Sequence, residues 1–503
     1  YQESTSDILE IMQLDRAHVM GGLWGDIRLG LDYFLNENNT LTTSVFYENG
    51  EDRDVINMEY IDYIGNLENL IGISTRDDHT TKKENNLEYS LTFTHTFEKK
   101  GHDLVADIRF QNNETKDASD LLGKYFTPDR QPSGVKDLLQ RSGGLEGERR
   151  LITQLDYTHS ISKNEKWELG YQGSFRNIKN DFLVEEFDDV AWQVLENISN
   201  DFKYGETIIG FYGTYKNKIK KFSYQIGARA EHTDITTELL KTHETNPRKY
   251  TNFFPSAKIG YDLPNENSIK LSYSRRVRRP RFNDLNPFFT YNDPRNLFQG
   301  NPNLNPEFSD TYELGHVKYW DKGSLSSSIF YRHRTDAIKR ILQPVNGDTT
   351  LFRPENLVSL DDIGLDITAS YRPISWWSWS TNVVAYQVSN DASNINQVFQ
   401  NKGYTWRGRI STKIKFKKQN QFQIKLNHRG KKLLAQGTVF PYTYIDLGFS
   451  RHFWNKKGKL TFNISDILNS RSSKLINNTP LIYREVEFLW SRRTAKLTFN
   501  YKI

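Results

Sequence analysis

Apolar and polar residues alternate with a period of two along most of the chain, from Asp26 to Ile503. About nineteen segments show this pattern, which is typical of β-strands that have one apolar and one polar face. In one such segment the two faces are Phe222, Tyr224, Ile226, Ala228 and Ala230 against Ser223, Gln225, Gly227, Arg229 and Glu231. Each segment is about ten residues long, the length that a tilted strand needs to cross the hydrocarbon layer of a bilayer. The pattern therefore predicts an all-β protein.

The connections between these segments are alternately short and long. Short turns rich in Asn, Gly, Pro and Lys, such as Asn36–Asn39 and Glu98–Gly101, are followed by long connections, such as Asn49–Asn86 and Asn112–Arg149. A barrel that crosses an outer membrane has this order, with short turns in the periplasm and long loops outside the cell. A soluble β-propeller or a set of stacked sandwiches, which is the alternative, predicts no such order. We therefore expect a transmembrane antiparallel β-barrel.

Composition excludes several other classes of protein and site. No apolar run approaches the roughly twenty residues of a transmembrane helix. The formal net charge of +5 is small for 503 residues and does not indicate nucleic-acid binding. The chain has no cysteine, which excludes disulfides and thiolate chemistry within it. Trp376, Trp377 and Trp379 follow a short turn, where a belt of interfacial aromatic residues is expected.

The odd number of strands predicts that the chain is the C-terminal majority of a larger barrel. A closed antiparallel barrel in one bacterial chain needs an even number, so about three further strands are expected upstream, for a total of about twenty-two. We predict that residues 1–25 are an extracellular loop or remnant leading into the barrel. Residues 26–503 are predicted to form one outer-membrane β-barrel domain.

The segment Ser274–Gly315 carries the most specific motif. Its distinctive residues are Gly300, Asn301, Pro302, Asn303, Leu304, Pro306, Glu307, Glu313, Leu314 and Gly315. At these positions it resembles the corresponding segment of TonB-dependent receptors, and Asp32–Leu35 before its Asn-rich turn resembles the outer-membrane β-barrel branch of that superfamily. The resemblance implies a barrel of about twenty-two strands, a plug domain inside it and a short box that engages TonB. Neither a plug nor a TonB box is present in these residues, and Ile503 stands where such barrels commonly end in an aromatic residue.

A run of arginines in the same segment is the strongest local charge feature. If the strand from Ile269 continues, Arg276 and Arg278 face the lumen, where they are candidates to contact an anionic ligand. The alternative is that they neutralise plug carboxylates, while Arg275 and Arg279 face outward and meet lipid phosphates.

Aromatic residues are concentrated in the loop that follows the arginines. Phe288, Phe289, Tyr291 and Phe298 are candidates to stack on a sugar or siderophore, and the alternative is that they pack the loop against its neighbours. The predicted ligand-binding residues are therefore Arg276, Arg278, Phe289 and Tyr291.

No hydrolase, metalloprotease or P-loop motif occurs in the sequence, so we expect neither an enzyme nor a bound cofactor or metal. The first hypothesis is the barrel of a TonB-dependent receptor for an unidentified nutrient such as a siderophore, glycan or peptide. The second is a non-transporting structural barrel of an outer-membrane assembly or secretion complex. The expected location is the outer membrane of a diderm bacterium.

The expected partners follow from that location. They are outer-membrane lipid and lipopolysaccharide, the plug domain and TonB if the protein transports, and a surface lipoprotein or other envelope-complex subunit. Nucleic acid is not expected as a partner.

Overall fold

The computed structural model describes residues 2–5, 9–196, 198–290, 293–345, 349–396, 399–489 and 493–502. Nearly all of these residues belong to one almost entirely antiparallel sheet, of which nineteen strands form the wall of a barrel. The wall strands are β2 (Leu9–Asn36), β3 (Asn39–Ile64), β4 (Leu70–Thr96), β5 (His102–Phe126), β6 (Leu138–Ser162), β7 (Glu165–Phe187), β9 (Asn200–Ile219), β10 (Phe222–Leu239), β11 (Glu244–Leu263), β12 (Asn267–Arg278), β15 (Glu307–Trp320), β16 (Gly323–Pro344), β17 (Thr350–Ile374), β18 (Trp377–Asp391), β19 (Asn401–Phe416), β20 (Asn420–Arg429), β23 (Tyr442–Phe453), β24 (Gly458–Ser465) and β27 (Thr494–Tyr501). The predicted fold class is confirmed.

Shorter elements lie in the connections between wall strands. They are β1 (Gln2–Thr5), β8 (Trp192–Val194), the helix α1 (Phe282–Leu285), β13 (Phe289–Thr290), β14 (Asn296–Gln299), β21 (Lys432–Leu434), β22 (Gly437–Val439), β25 (Ser472–Asn478) and β26 (Ile482–Leu489). Several of them extend the sheet by pairing. Strand β22 pairs with β25, β26 pairs with β1, and β14 pairs in parallel with the wall strand β17. The connections at the end opposite the short turns are thereby joined to one another.

The two faces of each wall strand have different surroundings. On β10 the side chain of Ile226 is 60% exposed, whereas Glu231, Thr233 and Ile235 on the alternate positions are buried. The outward face is both apolar and exposed, and such a face on a barrel wall is the surface that contacts lipid. The inward face carries the polar residues that line the lumen.

The outer limit of the lipid-contacting band is visible along β4. Its outward positions are apolar from Leu87 to Phe93, and they become polar at Asn85, Lys83 and His79. A row of tyrosines marks the same level on other strands, because Tyr273, Tyr312 and Tyr331 follow one another across β12, β15 and β16. Their ring centroids are 4.9 Å and 6.3 Å apart. Tyrosine is enriched where a bilayer meets water, so this row forms part of an aromatic girdle.

The short turns fall where the sequence placed them, but the predicted long loops are wrong in extent. The connection Asn49–Asn86 consists mostly of β3 and β4, which continue to Ile64 and restart at Leu70. The connection Asn112–Arg149 likewise consists mostly of β5 and β6. Beyond the membrane both faces of a strand meet water or polar neighbours, so the strand continues without an apolar alternation that the sequence could reveal. The barrel wall therefore rises well above the lipid.

The prediction that residues 1–25 form a loop or remnant needs a related correction. Residues from Leu9 onward belong to β2, which pairs with β3 along its length and with β1 at Leu9–Met12. Within the described ranges no hydrogen-bonded ladder joins β2 to β27, whose wall neighbour is β24. The strand number of the complete wall stays a prediction, and Ile503 lies outside the described residues.

A hydrophobic cluster fills the lumen between β7, β9, β10 and the segment after β12. It contains Phe202, Tyr204, Ile235, Leu285 and Leu304, each at most 3% exposed. The segment that carries α1 therefore folds into the barrel instead of extending away from it. This packing places the following loop, with β14, against the inner surface of the wall.

Residues of the resemblance motif hold that segment in place. A Cβ at Gly300 would lie 2.3 Å from the backbone oxygen of Asn286, so only glycine fits there. Asn301 is buried and donates to the backbone oxygen of Pro354 (3.2 Å) and to Glu355 (2.9 Å) on β17. Glu307, also buried, accepts from the backbone N–H of Ile338 at 3.0 Å. The motif is thus an anchor between the inward segment and the strands β16 and β17.

Candidate ligand-binding pocket

A cavity of about 770 Å³ lies in the extracellular part of the lumen. Inward-facing residues of β15 to β19 form its wall, among them Arg332, Arg334, Asp362, Tyr386 and Arg407. Its roof comes from the ends and connections of these strands and from the short strands above them. The roof residues with charged or aromatic side chains are Phe298, Lys339, Arg340, Phe352, Lys432, Arg484 and Phe488. The volume is within the range of small-molecule sites, roughly 300–1,000 Å³.

Strand alternation explains why the wall is charged. Tyr331 faces outward and donates to Asp361 at 2.8 Å, so its neighbours Arg332 and Arg334 face the lumen. Arg334 hydrogen-bonds to Asp362, which is buried, and Arg332 lies 4.0 Å from the same carboxylate. Burial leaves that carboxylate dependent on its arginines, because an unpaired charge is costly where water is excluded. One acid thus accounts for two of the basic residues of the pocket.

A buried glutamine joins the roof to the wall. The side chain of Gln436 accepts from the backbone N–H of Leu342 at 2.6 Å and donates to the backbone oxygen of Leu342 at 2.8 Å. The backbone oxygen of Gln436 in turn accepts from the backbone N–H of Asn478 at 3.1 Å. This residue therefore links β16, the β21–β22 hairpin and β25, and its side-chain amide bonds to the backbone of Leu342 as a neighbouring strand would.

We expect Gln436→Leu to loosen the roof while leaving the membrane part of the barrel intact. The substitution keeps the volume but leaves the N–H and the C=O of Leu342 without partners in a buried place, at a cost of about 1–3 kcal/mol for each group. Hydrogen–deuterium exchange should therefore rise in β21, β22 and the end of β16, with no change in β10. Unchanged exchange at Leu342 would show that the clamp is not needed to hold the roof.

Positive charge predominates in the pocket. Seven of the residues that line it are Lys or Arg and three are Asp or Glu. Lys339, Arg340, Arg407, Lys432 and Arg484 make no ion pair with any residue in the described parts of the chain. Several arginines elsewhere in the lumen are paired, as Arg176 is with Glu148 at 2.7 Å. The pocket therefore gathers cations that have no ion-pair partner among the described residues.

Burial perturbs two of these cations, both of which lie above the lipid-contacting band. It lowers the pKa of Arg484 to about 10. Burial, followed by repulsion from Arg334, lowers the pKa of Lys339 to about 8; Lys432 and Arg278 add further repulsion, and Glu307 acts in the opposite direction. Lys339 thus remains largely protonated at neutral pH, but the neighbouring charges do not offset the free-energy cost of burying its ammonium group.

The lowered pKa of Lys339 has a consequence for folding. Between pH 8 and about 10.5 the unfolded chain keeps this proton and the folded chain releases it, so this group makes folding more favourable as pH rises. We expect the denaturant midpoint of the wild type in detergent to rise relative to that of Lys339→Met across this window. A constant difference between the two proteins from pH 7 to pH 10 would contradict the lowered pKa.

Two arginines of the roof lie over phenylalanine rings. The guanidinium carbon of Arg340 is 4.5 Å from the ring centroid of Phe298, and that of Arg484 is 4.9 Å from the ring centroid of Phe352. Stacking of this kind fixes the plane of a guanidinium and leaves its N–H edge available. Such an edge is suited to a bidentate contact with a carboxylate or phosphate.

The arginines predicted from the sequence lie beside this pocket and do not line it. Arg276 is exposed on β12, opposite Ser309 of β15. Arg278 lies 3.4 Å from Glu307, and Arg279 hydrogen-bonds to Glu231 and, at 3.0 Å, to Thr233. The expected outward orientation of Arg279 is therefore wrong, because β12 ends at Arg278 and the alternation ends with it.

The predicted aromatic residues are placed only in part. Phe289 lies in β13, paired with Gln299, but its side chain is outside the described part of the structure, and so is the whole of Tyr291. Phe288 packs against the luminal hydrophobic cluster, whereas Phe298 of the same loop lines the pocket. The assignment of Arg276, Arg278, Phe289 and Tyr291 to ligand binding stays a prediction.

Sequence reasoning missed most of the pocket because its residues are dispersed. They come from separate segments between Phe298 and Phe488, and each segment contributes only a few of them. A lone Lys339 or Arg484 is an ordinary residue of a polar strand. Only the inward face of β16, which places Arg332 and Arg334 two residues apart, gives a local signal.

No group of three or more His, Cys, Asp or Glu side chains in the described ranges is arranged to hold a metal ion. No helix among the described residues has the length and apolar character needed to cross a membrane.

Comparison with known proteins gives a consistent result. Residues 95–501 match the family described as "Outer membrane protein beta-barrel family". The fold is similar to that of the copper transporter OprC, with a TM-score of 0.61 and 10% identity over 98% of this chain and 82% of that chain. It is also similar to BauA, the ferric preacinetobactin receptor of Acinetobacter baumannii, with a TM-score of 0.56 and 10% identity over 97% and 79% of the two chains.

A third structure of the same kind is the ferric yersiniabactin uptake receptor FyuA of Yersinia pestis. Its TM-score is 0.52, with 11% identity over 97% of this chain and 79% of that chain. No curated protein matches this chain. The family match covers most of the sequence and confirms both the predicted outer-membrane location and the predicted type of barrel. The chain therefore belongs to the outer membrane protein beta-barrel family, with the fold of a TonB-dependent receptor-type barrel.

Proposed function

We propose that this barrel belongs to a TonB-dependent outer-membrane receptor that captures a scarce nutrient at its extracellular mouth and admits it to the lumen. The observation that carries the proposal is the pocket, because its roof is built from extracellular segments and its wall is the luminal face of β15 to β19. A ligand bound there has left the outside medium but has not yet passed through the barrel. A barrel with a purely structural role has no need of such an enclosed site.

Similar folds support the same function. The three structures compared above are named as a copper transporter, a ferric preacinetobactin receptor and a ferric yersiniabactin uptake receptor. We propose a plug domain within the lumen as the gate and TonB as the source of the driving force. Outer-membrane lipid and lipopolysaccharide would surround the wall, and a surface lipoprotein would be a further partner. We propose no catalytic role for any residue.

An uptake experiment tests this function. A strain lacking the gene should lose uptake of one class of nutrient when iron chelates, glycans and peptides are each supplied as the limiting source. The full-length gene should restore uptake, and the outer-membrane protein profile should be unchanged in both strains. Unchanged uptake of every class together with defective assembly of other envelope proteins would overturn the proposal in favour of the structural barrel.

A further inference from the structure

We propose that the pocket binds a small molecule with two or more oxyanion groups, carboxylate or phosphate, on a flat or apolar body. Lys339 and Arg484 contact the anionic groups from the roof, with Arg340 and Arg407 next to them. The inference rests on the proposed function for the identity of the site as a receptor pocket. It goes beyond that function because it selects one chemical class among the nutrients that such a barrel could admit.

The argument starts from cations that the protein leaves without counter-charges. Arginine pairs elsewhere in this lumen are close, such as Arg176 with Glu148 at 2.7 Å and Arg229 with Glu231 at 2.5 Å. In the pocket the one buried acid, Asp362, is already shared by Arg332 and Arg334. Five further cations surround the same cavity with no ion pair among the described residues. Burying Lys339 and Arg484 is costly unless an anion pairs with them, and neither makes an ion pair with a described residue, so an anion bound beside them would be stabilised.

The lowered pKa values of Lys339 and Arg484 agree with this picture. In each case burial is the first cause, and for Lys339 neighbouring cations are the next largest. A bound anion would stabilise the charged forms of both side chains and so raise both pKa values. A neutral glycan would leave the positive charges unpaired, and a basic peptide would add to the repulsion.

The aromatic surface and the volume of the pocket favour a ligand with a flat or apolar body. Phe298 and Phe352 hold the guanidinium groups of Arg340 and Arg484 by their faces. Phe330, Tyr386 and Phe488 add aromatic surface between the charged groups. A ligand with a planar body can lie against these rings while its oxyanions reach the arginine edges. A cavity of about 770 Å³ admits a molecule of this type but not a long polymer.

Calorimetry on the full-length protein in lipid nanodiscs tests the proposal with two matched probes. Benzene-1,3,5-tricarboxylate has the flat body and the anionic groups, and benzene-1,3,5-tricarboxamide has the same shape without the charge. We expect the tricarboxylate to bind at least tenfold more tightly than the tricarboxamide. Its affinity should fall as salt is raised, since the contacts are ionic. Inorganic phosphate, as competitor, reports whether an oxyanion without a flat body occupies the same site.

Two variants locate the site. The double variant Lys339→Met with Arg484→Met removes two charges and keeps unbranched apolar side chains, so we expect at least a tenfold loss of tricarboxylate affinity. The control is Lys258→Met on β11, which removes an exposed cation that lies opposite Gln225 and outside the pocket, and it should bind as the wild type does. Heat-modifiable migration in gels shows that each variant is folded.

The outcomes separate this inference from the proposed function. Equal affinity for the two benzene probes, no binding of either at millimolar concentration, or an unaffected double variant would each overturn the ligand class. Loss of affinity in Lys258→Met alone would move the site to β11 and overturn the assignment of the pocket. Normal binding by the purified protein, with no uptake defect in the deletion strain, would overturn the transport function and leave the ligand class standing.

Discussion

Leu155→Arg is expected to destabilise the barrel in a bilayer by about 2–4 kcal/mol, the cost of an arginine on the lipid face near the middle of the membrane. Leu155 is on β6, where its side chain is 42% exposed and faces outward. The expectation depends on the assignment of this exposed apolar face to lipid. If that face packed against protein or met water instead, an arginine at Leu155 would not carry this lipid-face penalty.

The neighbouring residue provides the matched control. Gln154 faces the lumen, where its side chain donates to Asp156 at 2.6 Å, and Asp107 lies opposite it in the sheet. An arginine at this position meets two carboxylates, so Gln154→Arg should change the free energy of unfolding by less than about 1 kcal/mol. Denaturant titration of both variants in phospholipid vesicles compares them. Equal destabilisation by the two substitutions would contradict the two-faced wall.

Gly300→Ala is expected to detach the inward segment that follows β12. A Cβ at this position would lie 2.3 Å and 2.7 Å from the backbone oxygen and nitrogen of Asn286 and 2.8 Å from the backbone oxygen of Asn283. None of these atoms belongs to a flexible side chain, so the backbone must move, at a cost of about 3 kcal/mol. The displaced loop would expose Leu304 and shift Phe298 at the pocket.

Limited proteolysis from the extracellular side measures this effect. Cleavage between β12 and β15 should become rapid in Gly300→Ala, while Gly147→Ala should behave as the wild type because nothing lies within 4 Å of its Cβ position. Both barrels should retain heat-modifiable migration, since the substitution lies outside the lipid-contacting band. Equal resistance of the two variants would show that the close approach at Gly300 can be relieved without opening the loop.

The sequence allowed the strands and turns of the membrane part to be predicted for a physical reason. Between lipid and lumen each residue meets one of two opposite solvents, so residues such as Ile226 and Gln225 must differ. Above the membrane that contrast is lost. The outward positions Asp77, His79 and Lys83 of β4 are as polar as the inward ones, and a strand was therefore mistaken for a loop.

The pocket was less predictable for a different reason. The resemblance motif identified the correct loop, but Gly300, Asn301 and Glu307 anchor it and do not line the pocket. The arginines at the end of β12 give a strong local charge signal because they are close together in sequence. Lys339 and Arg484 come together only through the pairing of the roof strands, and no local pattern reports that pairing.

Site-specific labelling along β10 tests the two-faced wall most directly. The chain has no cysteine, so single cysteines can be introduced without background. Cysteines at Tyr224, Ile226 and Ala228 should react with a thiol reagent dissolved in lipid and resist a water-soluble one. Cysteines at Gln225 and Arg229 should show the reverse. Reaction that does not alternate, or that alternates with the opposite phase, would contradict a barrel whose apolar face meets the membrane.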